Sequence, residues 1–162
     1  MLGATVYDEV SATAVIVSGV FGVIQIAFNV LDQRMMREVI PAADAAGIGI
    51  LVRSAFLKGA LTPKAPWLPH ALAPLRDAAA RARDALANGS WDALPRAAMR
   101  FCLSAPHVAS VLTGARTLAD LESALAAEAD GQLDRDAMSI AATLAIDDDA
   151  LLNPSRWPPL GL

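Results

Sequence analysis

One cysteine, one tyrosine, two histidines and an aromatic share of only 5% are the scarcities of this 162-residue chain, and each excludes a class of function. Cys102 has no second cysteine with which to form a disulfide, and its place in the helical run AAMRFCLSA marks it as a core thiol. His70 and His107 lie far apart without metal-ligand spacing, and both read as surface histidines. Basic charge is short too: thirteen Lys and Arg against seventeen Asp and Glu give a formal net charge of −4, so no positive field is available to attract nucleic acid or an anionic membrane. No basic region follows Met1, and Asp8 and Glu9 precede the first apolar stretch; a cleavable signal peptide is therefore not expected, and the expected location is the cytoplasm.

What the chain has in quantity is hydrophobic residues, 55% of the total, enough for one domain with a real core and not for two. Mean hydropathy is +0.42, and Val10 to Leu31 carries no charge over a length that could cross a bilayer. Ser18, Gly19 and Gly22 interrupt that run, Gln25 and Asn29 lie near its end, and acids flank it with no cluster of Lys or Arg to set a topology. It reads better as a helix over residues 9 to 18 and a strand over residues 22 to 27, with a membrane anchor as the alternative.

The stretch Gly47 to Thr62, GIGILVRSAFLKGALT, is the centre of the chain. Its apolar run Ile48 to Val52 shows no polar alternation, which predicts a strand covered on both faces. Arg53, Ser54, Lys58 and Gly59 follow at the strand's carboxyl end, where α/β sheets hold ligands; two cations, a hydroxyl and a glycine there suit an anion such as a phosphate. A solvated basic loop is the competing reading.

Taken in order, the chain alternates. Leu2 to Tyr7 and Val23 to Ala27 are strands separated by the helix that Asp8 caps. Arg34 to Ala46 has helical spacing with Pro41 as an expected kink and Gly47 as its terminator. Pro63, Pro66 and Pro69 forbid regular structure after the central strand. His70 to Leu86 and Trp91 to Ser104 are helices, Val108 to Leu112 is a fourth strand, and Thr117 caps a helix from Leu118 to Ala127. A short helix near Asp134 to Leu144 precedes a tail, about residues 145–162, expected to be irregular. These are four consecutive βα units, an α/β fold with parallel strands. Right-handed crossovers bring the Arg53 to Gly59 loop and the Thr113 to Arg116 turn to one side of the sheet, the relation that phosphate loops hold in eight-stranded βα barrels. Gly114 would let the backbone come close, Arg116 offers a planar fork, and the following helix points its positive end at the same place.

Three segments, VIQIAFNVLDQR (Val23 to Arg34), GIGILVRSAFLKGALT and FCLSAPHVASVLTGARTLADLESAL (Phe101 to Leu125), together resemble the carboxyl-terminal half of the aldo-keto reductases, in the branch that includes aldose dehydrogenases. The resemblance implies half of a (βα)8 TIM barrel, strands five to eight, with NADP, or alternatively NAD, extended across its carboxyl-terminal face. It implies that Gln25 and Thr5 hold the nicotinamide amide, that Arg53 lies against the nicotinamide ring, that Ser54, Phe56, Leu57, Lys58 and Gly59 hold the pyrophosphate, and that Gly114, Ala115 and Arg116 surround the adenosine phosphate. A charge-assisted bond from Arg116 to a 2′-phosphate, worth about 1.5 to 3 kcal/mol, favours NADP. The sequence departs from the family where a basic or amide residue and a Glu-Asn pair commonly hold the adenine, for it has Asp120, Ser123 and Ala124 there.

The resemblance also implies that the family's catalytic tyrosine, aspartate, lysine and histidine come from strands two to four, whereas Met1 corresponds to strand five. The chain is expected to bind a dinucleotide and to be inactive alone; Tyr7 corresponds to a position after strand five, not to the proton donor. Four strands cannot close a barrel, so two parallel edges and one apolar face call for a partner: a second copy of the chain in a homodimer of half barrels, or a separate amino-terminal half. A small carbonyl or sugar is the expected substrate once the barrel is complete. The alternative is a catalytically dead module that binds a dinucleotide or a partner. Trp67 and Trp157 are expected to pack rather than to line a pocket.

Overall fold

Four short strands, β1 (Gly3–Thr5), β2 (Val23–Ala27), β3 (Gly49–Arg53) and β4 (Val108–Val111), form one parallel sheet in the order β1-β2-β3-β4 in this computed structural model, which describes residues 1–159. In register, Thr5 lies beside Gln25, Gln25 beside Leu51, and Ala27 beside Arg53, and one irregularity at Ile50/Leu51 shifts β4. Neighbouring strands are joined by helical crossovers throughout, the arrangement of half an eight-stranded βα barrel.

Burial alternates along the two central strands although polarity does not. Ile24, Ile26, Ile50 and Val52 are completely buried under the helices, while Val23, Gln25, Ala27, Leu51 and Arg53 are half-buried. On the outer strands Thr5 and Ser110 are exposed. The expectation of a strand covered on both faces is therefore corrected: within this chain the sheet is covered on one face only. The other face, which would line the interior of a closed barrel, is open.

The uncharged stretch divides as its glycines require. Helix α1 (Glu9–Ser18) starts where the Asp8 carboxylate accepts from the Ser11 N–H at 2.7 Å and stops at Gly19, whose φ of 64° lies in the left-handed region. Among the described residues no helix is long and apolar enough to cross a membrane. Helix α2 is shorter than expected, Val39–Ala45, preceded by a separate 3₁₀ turn at Arg34–Met36. Pro41 does not kink it, because it lies in the first turn, where a helix has no acceptor for the missing N–H. Prolines also sit in the first turns of α3 (Ala73–Leu86) and α4 (Leu94–Ser104), which trims both relative to the sequence reading. Helices α5 (Leu118–Ala129) and α6 (Arg135–Ala142) follow β4.

The core lies between the sheet and these helices. Phe28, just past β2, stacks on Phe101 of α4 with ring centroids 5.2 Å apart. Cys102 is fully buried beside them, its Sγ 3.4 Å from the Phe28 carbonyl oxygen, and burial pushes its thiol pKa far above the ordinary value. His70 and His107 are both exposed.

The tail is more ordered than expected. A short helix α7 (Asp149–Leu152) and a 3₁₀ turn (Pro154–Arg156) bring it back to the sheet; residues 160–162 of the expected irregular tail lie outside the described residues. The Ile146 N–H donates to the Leu31 carbonyl at 3.0 Å, and Gln33 Nε2 donates to the Ala141 carbonyl at 2.8 Å. Arg34 grips Asp32, which is only 2% exposed, with Nε 2.8 Å from Oδ1, and reaches Asp149 at 3.1 Å; Arg156 bonds the other Asp149 oxygen at 2.7 Å. The buried carboxylate thus has a two-pronged cation, which raises the Arg34 pKa. Trp157 packs at 8% exposure and donates Nε1 to the Leu151 carbonyl at 3.0 Å, whereas Trp67 is 78% exposed, so the packing expectation fails for Trp67.

Candidate functional site

A cleft of about 990 Å³ opens at the carboxyl ends of β3 and β4, where strand tips, the long loop after β3 and the returning tail meet. Its floor comes from Ala27 and Arg53 at the ends of paired strands. The side of the loop is unusual in its backbone. Ser54, Leu57 and Lys58 hold φ of 62°, 42° and 50°, left-handed values that cost a non-glycine residue about 1 kcal/mol or more each, and Gly59 follows at 96°. Such conformations persist only where the surroundings over-determine them. Here the Leu57 N–H bonds the Ser54 carbonyl at 2.8 Å, the Gly59 N–H bonds the Phe56 carbonyl at 2.9 Å, and Thr62 Oγ1 donates to the Gly59 carbonyl at 2.8 Å.

A buried polar pair links this loop to the preceding strand. Asn29 is completely buried; its side-chain oxygen accepts from the Leu31 and Asp32 amides at 2.9 and 3.0 Å, and its Nδ2 donates to the Ser54 carbonyl at 3.2 Å. The loops after β2 and β3 are therefore held as one unit.

Arg53 is the cation at the floor of the cleft. Its guanidinium lies over the Tyr7 ring, 4.4 Å from the centroid, and donates to Ser54 Oγ at 3.1 Å, while its buried Nε has no acceptor among the described residues. A donor buried without a partner costs about 1 to 3 kcal/mol, so this position favours any ligand that brings an oxygen acceptor. Lys58 is exposed, 6.0 Å from the centre of the Trp157 ring.

On the β4 side, Gly114 and Arg116 line the cleft, and Thr117 caps α5 in a reciprocal box. Asp120 completes that box. Its Oδ2 accepts from the Arg116 and Thr117 amides, each at 2.9 Å, and these bonds, the one from Arg116 foremost, lower its pKa below the ordinary carboxylate value. The chain's own carboxylate therefore already stands at the start of α5, the place to which the helix was expected to point its positive end for a phosphate.

Of the residues expected at the site, Arg53, Ser54, Phe56, Lys58, Gly59, Gly114 and Arg116 line this one cleft. Leu57 instead turns into the core at 1% exposure, and Ala115 is exposed outside the cleft lining. Gln25 and Thr5 lie beside the cleft on the open face, where Thr5 Oγ1 donates to Gln25 Oε1 at 2.7 Å. The sequence reading missed Arg34, Asp149, Asn153 and Ser155, which line the cleft from the tail side. The only local trace of them is the pair of capping residues Asp148 and Asn153, which mark short turns but not where those turns dock. No group of His, Cys, Asp and Glu that could hold a metal ion occurs among the described residues.

Fold and cleft together define an α/β protein with half of a βα barrel and a ligand cleft at the strand ends. The chain belongs to the aldo/keto reductase family, whose pattern it matches over residues 15–145. Among solved structures, it is similar to an aldo-keto reductase from Bacillus halodurans in its holo form, with 20% identity and a TM-score of 0.69 over 90% of this chain and 48% of that one. The apo form of the same protein gives 19% and 0.67 over 93% and 52%. A thermostable aldo-keto reductase solved with the inhibitor epalrestat gives 16% and 0.51 over 75% and 39%. At these identities the likeness establishes the fold, and the chain spans about half the length of the Bacillus halodurans protein. A search of curated proteins finds no significant match. Members of this family generally use NAD(P)H.

Proposed function

We propose that the chain is the dinucleotide-binding half of an aldo-keto reductase, which interconverts carbonyls and alcohols only when another half supplies the proton donor. The observation that carries this reading is that Arg53, Ser54, Phe56, Lys58, Gly59, Gly114 and Arg116 line a single cleft at adjacent strand tips. The residues suit a nicotinamide dinucleotide: Arg53 keeps a buried N–H without an acceptor, and the strained loop after it exposes Lys58. Arg53 and Ser54 would meet the nicotinamide end, with Gln25 and Thr5 at its amide. Phe56 to Gly59 would hold the pyrophosphate, and Gly114, Ala115 and Arg116 the adenosine end. Bound there, the dinucleotide supplies the two-electron redox step. The chain's own residues bind and orient it; Tyr7, the one tyrosine, packs on Arg53.

The open face needs covering, and a separate amino-terminal half suits it better than a second copy. Gly3, Ala27 and Gly49 bring little volume to that face, and a second copy would add the same small residues and set two Arg53 side chains toward one interior. The test is a fluorescence titration of NADH and NADPH with the chain, followed by aldehyde turnover with and without a candidate amino-terminal half. Binding that weakens about tenfold or more in Arg53→Ala, with turnover only in the mixture, is the expected result. No binding by the chain in any mixture sinks the reading. Binding without turnover in every mixture favours the second reading, a catalytically silent dinucleotide-binding module.

A further inference from the structure

The adenosine end of the cleft carries a feature that works against the preference expected from Arg116. Resting on the cofactor-binding reading above, we infer that Asp120 makes this cleft select a free ribose 2′-hydroxyl, and hence NAD(H), over the 2′-phosphate of NADP(H).

Asp120 is exposed and lines the cleft next to Gly114 and Arg116. Its carboxylate is fixed rather than free to swing away: Oδ2 accepts from the Arg116 and Thr117 amides at 2.9 Å each, while its own N–H donates to Thr117 Oγ1 at 3.2 Å. Two consequences follow. The Arg116 and Thr117 amides of the turn that leads into α5 are spent on the chain's own anion, and the Asp120 amide on the Thr117 hydroxyl, so a phosphate arriving there meets a carboxylate already in place. Both amide bonds go to Oδ2, which leaves Oδ1 free of backbone donors and available to a hydroxyl. A ribose hydroxyl can donate to that oxygen; a phosphate dianion has no proton to give and meets a fixed negative charge.

The neighbouring side chains do not reverse this. Ser123 and Ala124, one turn further along the same cleft wall, bring no cation. Arg116 forms no ion pair among the described residues, and Lys64, whose charge lowers the Asp120 pKa, is likewise exposed. Both cations are long, exposed side chains next to a carboxylate that two backbone bonds hold in place, so a 2′-phosphate gains their attraction only against that repulsion.

The experiment compares adenosine 5′-monophosphate with adenosine 2′,5′-bisphosphate, and NADH with NADPH, by calorimetric titration of the chain. The two pairs differ by the 2′-phosphate alone. The expected result is tighter binding of the form without the 2′-phosphate by about tenfold. Asp120→Asn removes that discrimination, chiefly by strengthening the 2′-phosphorylated ligands, while Thr117→Ala, which weakens the cap but keeps the charge, leaves it in place. Asp120→Ser, which keeps a capping oxygen, replaces Asp120→Asn if thermal melting shows the latter unfolded. Equal or tighter binding of the 2′-phosphorylated forms by the wild-type chain overturns the inference and leaves the cofactor-binding reading standing. So does discrimination that survives removal of the carboxylate or disappears in Thr117→Ala. Failure of all four ligands to bind overturns both.

Discussion

Ile50 and Leu51 are neighbours on the same strand, nearly equal in volume and hydrophobicity, yet one is completely buried and the other only half-buried. The same contrast in burial separates Ile24 from Val23 on the neighbouring strand. Strand geometry sends alternate side chains to opposite faces, and here only one face has helices to receive them. What the difference teaches is that apolar character on the open face is not serving this chain's own core. It is either surplus or intended for contact with something else, and the cleft stands at the carboxyl end of that face.

The largest expected effect that tests the contrast is Ile50→Ala, which empties a site with no exposure and is expected to cost about 2 to 5 kcal/mol in denaturant unfolding. Leu51→Ala on the open face is expected to cost less than Ile50→Ala in the isolated chain, about 1 to 2 kcal/mol, because its side chain is only partly removed from water. Equal losses at the two positions would mean that the open face is covered even in isolation, for instance by self-association. A Leu51→Ala loss that grows when a candidate partner half is added would sharpen the contrast instead.

The smallest effect concerns acid. The carboxylates of Asp8, Asp120 and Asp130 all have pKa values lowered from the ordinary 3.8, by the Ser11 amide, the Arg116 amide and the Arg96 side chain respectively. A carboxylate with a depressed folded-state pKa contributes stability that is fully present above its unfolded value and is lost as pH falls through the folded one. Melting temperature is therefore expected to hold level down to about pH 5 and to decline modestly below about pH 4. In a variant carrying Asp8→Asn and Asp120→Asn the decline is shallower; an unchanged acid profile would show that these caps do not set it.

Much of the fold was legible along the chain because it rests on local chemistry. The Asp8 cap, the Gly19 and Gly47 stops and the Thr117 cap are decided within a few residues, and each stands where local pattern places it. The site was partly legible for the same reason, since Arg53 to Gly59 and Gly114 to Arg116 immediately follow apolar strands. What local pattern missed was made by distant partners: the tail clamped through Arg34 and Asp149, and Asn29 joining two loops from a completely buried position. Asp120 was visible as an acid beside a phosphate-type turn, and its place three residues after Thr117 is the spacing of a capping box, a local signal that the sequence reading did not use.

By itself, then, the amino-acid sequence determined the order of strands and helices, their caps and the residue types at the strand tips, because these depend on backbone conformations and periodicities only a few residues long. Only the tertiary structure decided which side of each strand is covered, that the tail forms a wall of the cleft, and that Asn29 ties the loops after β2 and β3 together. Those outcomes depend on which groups from remote parts of the chain arrive first at the same space, and burial and hydrogen-bond satisfaction are counted there and not along the chain.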